Sequence, residues 1–430
     1  MKKMILAAAV LCAALFNANA QFGKWTPSES TAYTDGKTGV EFTVLTDTQK
    51  DDKFIYQTDP MWTPDGKYLL FRSSTRAAEG SGLQFFMIEV STGRIIQVTD
   101  GSVGAVFLGN KSNTMFVGMR EQNQLTMYSM DLNKLFADAN KGKAKAFTKY
   151  LKKIGSIGSD TETPGGWCVN SDDNAAYITV TRKVSDEEIK AAEAKAFKPE
   201  ANQPKKVGVS FSGIRKMDLK TGAVTKLIDV DFRVGHIQAS RFNPNEVVFC
   251  YETGGDAYQR MWYLDAATCE YKPLYNETPL DWVTHETFGT QDYVYFNVLG
   301  WQERLRKQVN GIFRINLRTD DVDYIGQVEM DKDRQSQLLG RGFWHCNSTR
   351  DNQWACGDTF AGSVWIINVG NGERFQIASD LKMNPDHAQP FFSPDGKKLC
   401  FQSGHFSDGT RLNLVMVDLT KIPFFNEYNK

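Results

Sequence analysis

Five histidines carry the chain's nearest-to-neutral proton acceptors and its imidazole ligands, and all of them fall in the second half: His236, His285, His345, His387 and His405. A neutral imidazole binds divalent metals and, titrating near neutrality, also moves protons. A lone histidine is more often structural, so position has to decide. His236 stands ahead of Asn243-Pro-Asn, His387 stands a similar distance ahead of Ser393-Pro-Asp-Gly, and His285 lies just before a hairpin at Phe288. Two of these segments read as ligands to a divalent cation. Thr284-His285-Glu286 offers one imidazole, and Asn384-Pro-Asp-His387-Ala-Gln389-Pro offers an imidazole between the amides of Asn384 and Gln389. Mixed nitrogen and oxygen donors suit a borderline or hard ion such as Mn²⁺ better than a soft one. The dense H-x-H and H-E-x-x-H spacings of many zinc sites are absent.

Residues this far apart in sequence meet only if a repeat brings them together, and a repeat runs along the chain. Asp59-Pro-Met-Trp-Thr-Pro-Asp-Gly-Lys-Tyr-Leu-Leu-Phe-Arg-Ser-Ser74 returns as Ala388-Gln-Pro-Phe-Phe-Ser-Pro-Asp-Gly-Lys-Lys-Leu-Cys-Phe-Gln-Ser403. Each reads as a strand, a Pro-Asp-Gly turn and an alternating strand, with Pro presetting φ and Gly taking the positive-φ position. Weaker copies at 108–117, 170–180, 243–251, 288–298 and 347–357 bring the number to seven. A second hairpin, such as Lys216-Met-Asp-Leu-Lys-Thr-Gly-Ala-Val-Thr-Lys-Leu227, follows most copies. Two hairpins per repeat make a four-stranded antiparallel blade, and blades bury their faces by stacking around an axis. The expected fold is therefore an all-β, seven-bladed propeller forming a single domain over 21–430, closed by a strand near Gly39 to Leu45. One stretch breaks the pattern: Ser185 to Lys206, rich in Lys, Glu and Ala, reads as a short exposed helix and a Pro-containing loop inserted in the third blade. In a propeller of this kind, His236, His285 and His387 would converge on one end of the central channel.

The first twenty residues stand apart. Lys2 and Lys3, the apolar run Met4 to Phe16 and Ala18-Asn-Ala20 make a secretory leader, with cleavage after Ala20 and a periplasmic destination expected. Without those two lysines the formal charge moves from −1 to −3, too near neutral to offer a nucleic-acid or membrane surface a concentrated basic face. No apolar stretch is long enough for a membrane span. A small anionic ligand needs only a few placed cations and stays compatible. None of the six cysteines beyond the leader has a C-x-x-C spacing, and several sit in strand-like apolar runs, so buried free thiols are expected.

The order of several segments resembles the oligogalacturonate lyases. Thr38-Gly-Val-Glu-Phe-Thr-Val-Leu-Thr46, Phe54-Ile-Tyr56, Lys216-Met-Asp-Leu-Lys-Thr-Gly222, Gly235-His236, Val248-Phe-Cys-Tyr-Glu252, Arg260-Met-Trp262, Thr284-His285-Glu286 and the His387 segment carry the resemblance across nearly the whole chain. It implies a propeller that cleaves short galacturonate chains, a small acidic oligosaccharide as partner, and His236 as the proton-abstracting base. It also implies His285 and a Gln-x-x-His-x-His segment as metal ligands. Here that segment is altered: Asn384 stands for the Gln, His387 matches, and Gln389 replaces the last histidine. The family's arginine upstream of the base aligns by spacing near Phe211, with Arg215 the closest basic residue and hence the candidate.

The chemistry implied is β-elimination. Loss of a uronate C5 proton places charge on the adjacent carboxylate, which a bound cation stabilises while an imidazole takes the proton. Hydrolysis would need two carboxylates flanking the bond, and nothing in the sequence pairs Glu252, Glu286 or Asp358 in that way. Two other readings stay open: a non-catalytic binding propeller of the exported TolB type, and a lyase for another uronate polymer such as ulvan. The sequence leaves the oligomeric state open.

Overall fold

The computed structural model describes residues 22–196, 198, 205, 207–300, 302–328 and 342–428. The leader expected at 1–20 lies outside them. Seven antiparallel sheets follow one another along the chain, five of four strands and two of five, giving a seven-bladed propeller. The turn chemistry that announced the repeat builds the inner hairpins. In the first blade, Gly66 takes φ 67°, its N–H donates to the Thr63 carbonyl at 2.9 Å, and the Thr63 hydroxyl donates to Asp65 at 2.7 Å. In the seventh, Gly396 takes φ 69° and donates to the Ser393 carbonyl at 2.9 Å.

Each second strand is sandwiched between neighbouring blades, which is why its sequence is apolar on both faces. Glu246–Tyr251, Tyr293–Val298, Trp354–Thr359 and Lys398–Ser403 are buried along nearly their whole length. Val248 and Met261 of the fourth blade, for example, pack with Val283, Val294 and Phe296 of the fifth. Each such buried side chain contributes on the order of 1.5–3 kcal/mol. The ring closes where Glu41–Val44 pairs with Asn413–Asp418, Thr43 opposite Met416 and Val44 opposite Val415. The closing strand lies within the Gly39–Leu45 stretch singled out in the sequence. Thr31–Thr34 adds a fifth strand outside it.

The charged insertion leaves the third blade between Ala175–Arg182 and Ser212–Asp218 and forms a helix over Asp186–Lys195. Ser185 caps it by accepting from the Glu188 N–H, and three acidic residues fill its first turn. Farther along, Lys205 is buried, 3.0 Å from Glu277 and 3.4 Å from Asp256. The described cysteines are free thiols, all buried except Cys269. No helix among the described residues is long and apolar enough to cross a membrane.

Candidate functional site

The innermost strands of blades four to seven begin at Val234, Val283, Phe343 and Phe391. Two of them are bulged at the same place. Pairing slips between Gly235 and Gln238, and again between Thr284 and Thr287. The residues expelled from the ladder include His236 and His285, at φ 43° and 55°. Left-handed backbone at a non-glycine residue costs on the order of 1–3 kcal/mol and re-aims the side chain. In the seventh blade the residue with this geometry is Gln389, φ 51°, two positions after His387. The shared repeat position is thus held by His236, His285 and Gln389, with His387 just before it.

Three imidazoles gather from blades five, six and seven. The His345 ring lies 4.2 Å from that of His285 and 5.6 Å from that of His387, centre to centre. Donor atoms of His345, Asp358 and His387 lie within 4.8 Å of one another. His345 Nδ1 is 3.1 Å from both Asp358 oxygens, and His285 Nδ1 is 3.2 Å from the Thr284 hydroxyl. These partners fix the ring orientations, as carboxylate and hydroxyl partners do behind metal-bound histidines. His387 Nδ1 is buried without a hydrogen-bond partner among the described residues. Burial, with His345 and Arg260 close by, holds His285 well below the usual imidazole range. His387 is likewise lowered by burial and by His345, against the pull of Asp358. Burial works to raise Asp358, yet the neighbouring His345 and His387 hold its carboxyl below its ordinary value. His285 and His387 held in the neutral form beside an ionised carboxylate, with one buried nitrogen unsatisfied, fit a divalent cation.

His236 is different in kind. It is accessible, with Nε2 3.4 Å from Glu252 Oε2. That bond, with the Gly254 N–H and Arg260, lowers Glu252 to about 2 against the effect of burial. Cys250 lies beside the pair and donates to Glu252 at 3.7 Å, but burial pushes its thiol well up. Thiol rather than thiolate is a poor metal ligand. Arg260 is buried at the back, 3.0 Å from Glu286 and 3.9 Å from Glu252. The ring of Tyr56, from the first blade, stands between the two groups, 5.6 Å from His236 and 6.0 Å from His345.

His236, Glu252, Arg260 and His285 line one cleft of about 560 Å³ together with Trp282, Trp344 and Phe360, and His387 packs against Trp344 and Phe360. A flat apolar wall beside a few fixed polar groups suits a sugar ring. Glu252 and Asp256 also line it, so an anionic ligand entering here meets carboxylates and needs a cation to offset them.

Of the residues expected from sequence, His236, His285 and His387 gather around this cleft. Gln389 is buried, its N–H 3.0 Å from Asp358 and its amide 3.4 Å from Asp386. Asn384 is exposed, its backbone packed against Gly404 in the neighbouring turn. Arg215 lines neither this cleft nor the cavity beside it. Its guanidinium is held by Glu162 and, at 2.8 Å, by Asp229, on the face of the third blade that its strand position dictates. Phe211, at the spacing of the family's arginine, packs beneath Arg182. Arg260, inside one of the segments that carry the resemblance, is the arginine on the cleft wall. His345 and Asp358 were not singled out. They face each other across one hairpin, His345 opposite Asp358, a pairing visible in sequence only once the register is known.

No family model matches the chain. The curated oligogalacturonate lyase of Dickeya dadantii (strain 3937) is 24% identical over 394 residues, 86% of this chain and 92% of that one. Among solved structures, an oligogalacturonate lyase in complex with manganese superposes with a TM-score of 0.70 at 19% identity, covering 93% of this chain and 98% of that one. The oligogalacturonate lyase of Vibrio parahaemolyticus gives 0.70 at 17% identity, covering 92% and 98%. In sequence over most of its length, and in fold, the chain is similar to the oligogalacturonate lyases.

Proposed function

We propose that this chain is a carbon–oxygen lyase that cleaves short galacturonate chains by metal-assisted β-elimination, with His236 as the base. The observation that carries this is the division of the cleft: an accessible histidine paired with an ionised carboxylate faces three clustered imidazoles, two of which share a second carboxylate. His285, His345 and His387 would hold the cation, with Asp358 behind His345 and the Gln389 amide alongside. Manganese, present in the similar lyase structure, agrees with this nitrogen and oxygen set. A divalent ion bound there supplies positive charge to the sugar carboxylate as charge develops on it.

The remaining work falls to the chain's own groups. Trp344 and Phe360, 4.6 Å apart, orient the sugar face. His236 takes the C5 proton, and Glu252, held ionised, stabilises the imidazolium that results. The C5 electron pair forms the C4–C5 double bond as the C4–oxygen bond breaks, and the leaving oxygen takes a proton from water. Hydrolysis is less well supported, because the carboxylates near the bond are engaged: Glu252 by His236 and Arg260, Glu286 by Arg260, Asp256 by Lys205 and Arg304. The leader in the sequence supports export to the periplasm. Absorbance of unsaturated uronate, followed on a panel of oligouronates, tests the whole reading. Product should form from digalacturonate, cease with chelator and return with Mn²⁺. Binding of the dimer with no product under any metal would favour the binding-module alternative.

A further inference from the structure

A second cavity, of about 470 Å³, opens between blades three and four, and His236 lines both it and the cleft described above. In β-elimination the proton leaves C5 and the departing oxygen leaves C4, adjacent carbons of one ring. The base must therefore stand at the junction between the reacting sugar and the sugar that departs with that oxygen. A histidine forming the wall between two cavities, each within the ~300–1,000 Å³ range of small-molecule pockets, meets that requirement.

The second cavity is built for a polar ring bearing an acid. Gly165 and Gly166 floor it with bare backbone, Thr179 and Ser212 offer hydroxyls, and Arg233 stands on its wall. No hydrogen bond or ion pair engages the Arg233 guanidinium among the described residues, in contrast to Arg260, Arg215 and Arg76, each tied to two carboxylates. The other ionisable groups lining the same space are His236, Tyr56 and Asp59, the last raised by burial to about 6 against the pull of Arg241, His236 and Arg72. We propose that this cavity is the subsite for the departing uronate, and that Arg233 recognises that sugar's carboxylate. The proposal rests on the lyase reading given above. It makes Arg233 a specificity residue, indifferent to the bond broken and sensitive to the charge of the sugar next door.

The metal-loaded protein and its Arg233→Gln variant are compared on digalacturonate and on a digalacturonate methyl-esterified only at the departing sugar. Loss of one charge-assisted pair should raise KM for the acid about tenfold with little change in kcat. The parent should show a similar penalty on the ester, the variant should no longer distinguish acid from ester, and Arg233→Lys should recover part of the difference. Parental KM in the variant, or undiminished discrimination, overturns the proposal while leaving the lyase reading intact. Should the parent turn over neither substrate, the lyase reading fails, and calorimetric titration with digalacturonate and galacturonate still reads the subsite. Tighter binding of the dimer that Arg233→Gln abolishes upholds it. Equal binding of dimer and monomer, or a dimer preference that survives in the variant, removes it.

Discussion

On the proposed mechanism, the two walls of the cleft use the same side chain to opposite ends. On the wall of blades five to seven, His285, His345 and His387 are crowded together and enclosed, and burial with mutual proximity lowers His285 and His387. On the wall of blade four, His236 is accessible and has the Glu252 carboxylate beside it, whereas on the other wall His345 and His387 share Asp358. Crowding and burial disfavour the charged form of His285 and His387. One wall is thus suited to present lone pairs to a cation, the other to gain and lose a proton. Bulges at equivalent repeat positions aim both His236 and His285 at the same space, so surroundings rather than backbone make the difference.

Substitutions on the two walls should separate. The largest effect is expected for the double change His285→Ala and His345→Ala, which removes two nitrogens from the enclosed wall. Manganese binding, read by electron paramagnetic resonance, and turnover should vanish together. A double variant that still bound the ion at parental affinity would break the comparison. Asp358→Asn, which leaves His345 without its anionic partner, should weaken metal affinity about 10–100-fold, with activity restored at high metal concentration.

Glu252→Gln acts on the other wall and should leave metal affinity alone. Removing the anion proposed to support the imidazolium should slow turnover about tenfold or more. The same carboxyl has a stability consequence. Its folded-state value, about 2, lies below the ordinary 4.5, so ionised Glu252 contributes stability above pH 4.5 that is lost as pH falls toward 2. Denaturant titrations across that window should show a shallower loss in Glu252→Gln than in the parent. The smallest effect is expected for Asn384→Ala. The exposed amide should change metal affinity by less than about twofold, since a surface substitution away from buried features is usually near neutral.

That last case marks where sequence alone stopped. The Pro-Asp-Gly turns were legible because their chemistry is local: proline, an aspartate acceptor and a positive-φ glycine within four residues. The closing strand followed from the same pattern, and repeat position picked out His236, His285 and His387. Asn384 and Gln389 were grouped with His387 by nearness in sequence; the structure buries Gln389 beside Asp358 and leaves Asn384 exposed. Arg215 was reached by counting along a strand, where neighbouring side chains point to opposite faces, and it meets Glu162 and Asp229. His345, Asp358, Glu252 and Arg260 owe their places to pairing across hairpins and between blades, which no spacing along the chain encodes.

The division of labour across the cleft is tested most directly in one variant, His236→Asn, with two readouts on the same sample. Manganese affinity is measured by electron paramagnetic resonance, and unsaturated product from digalacturonate by absorbance. The expected result is metal binding within about twofold of the parent with product formation lost by at least 10²-fold. Product at the parental rate, or a manganese affinity that collapses along with activity, would contradict the assignment of His236 as a base distinct from the metal-holding wall.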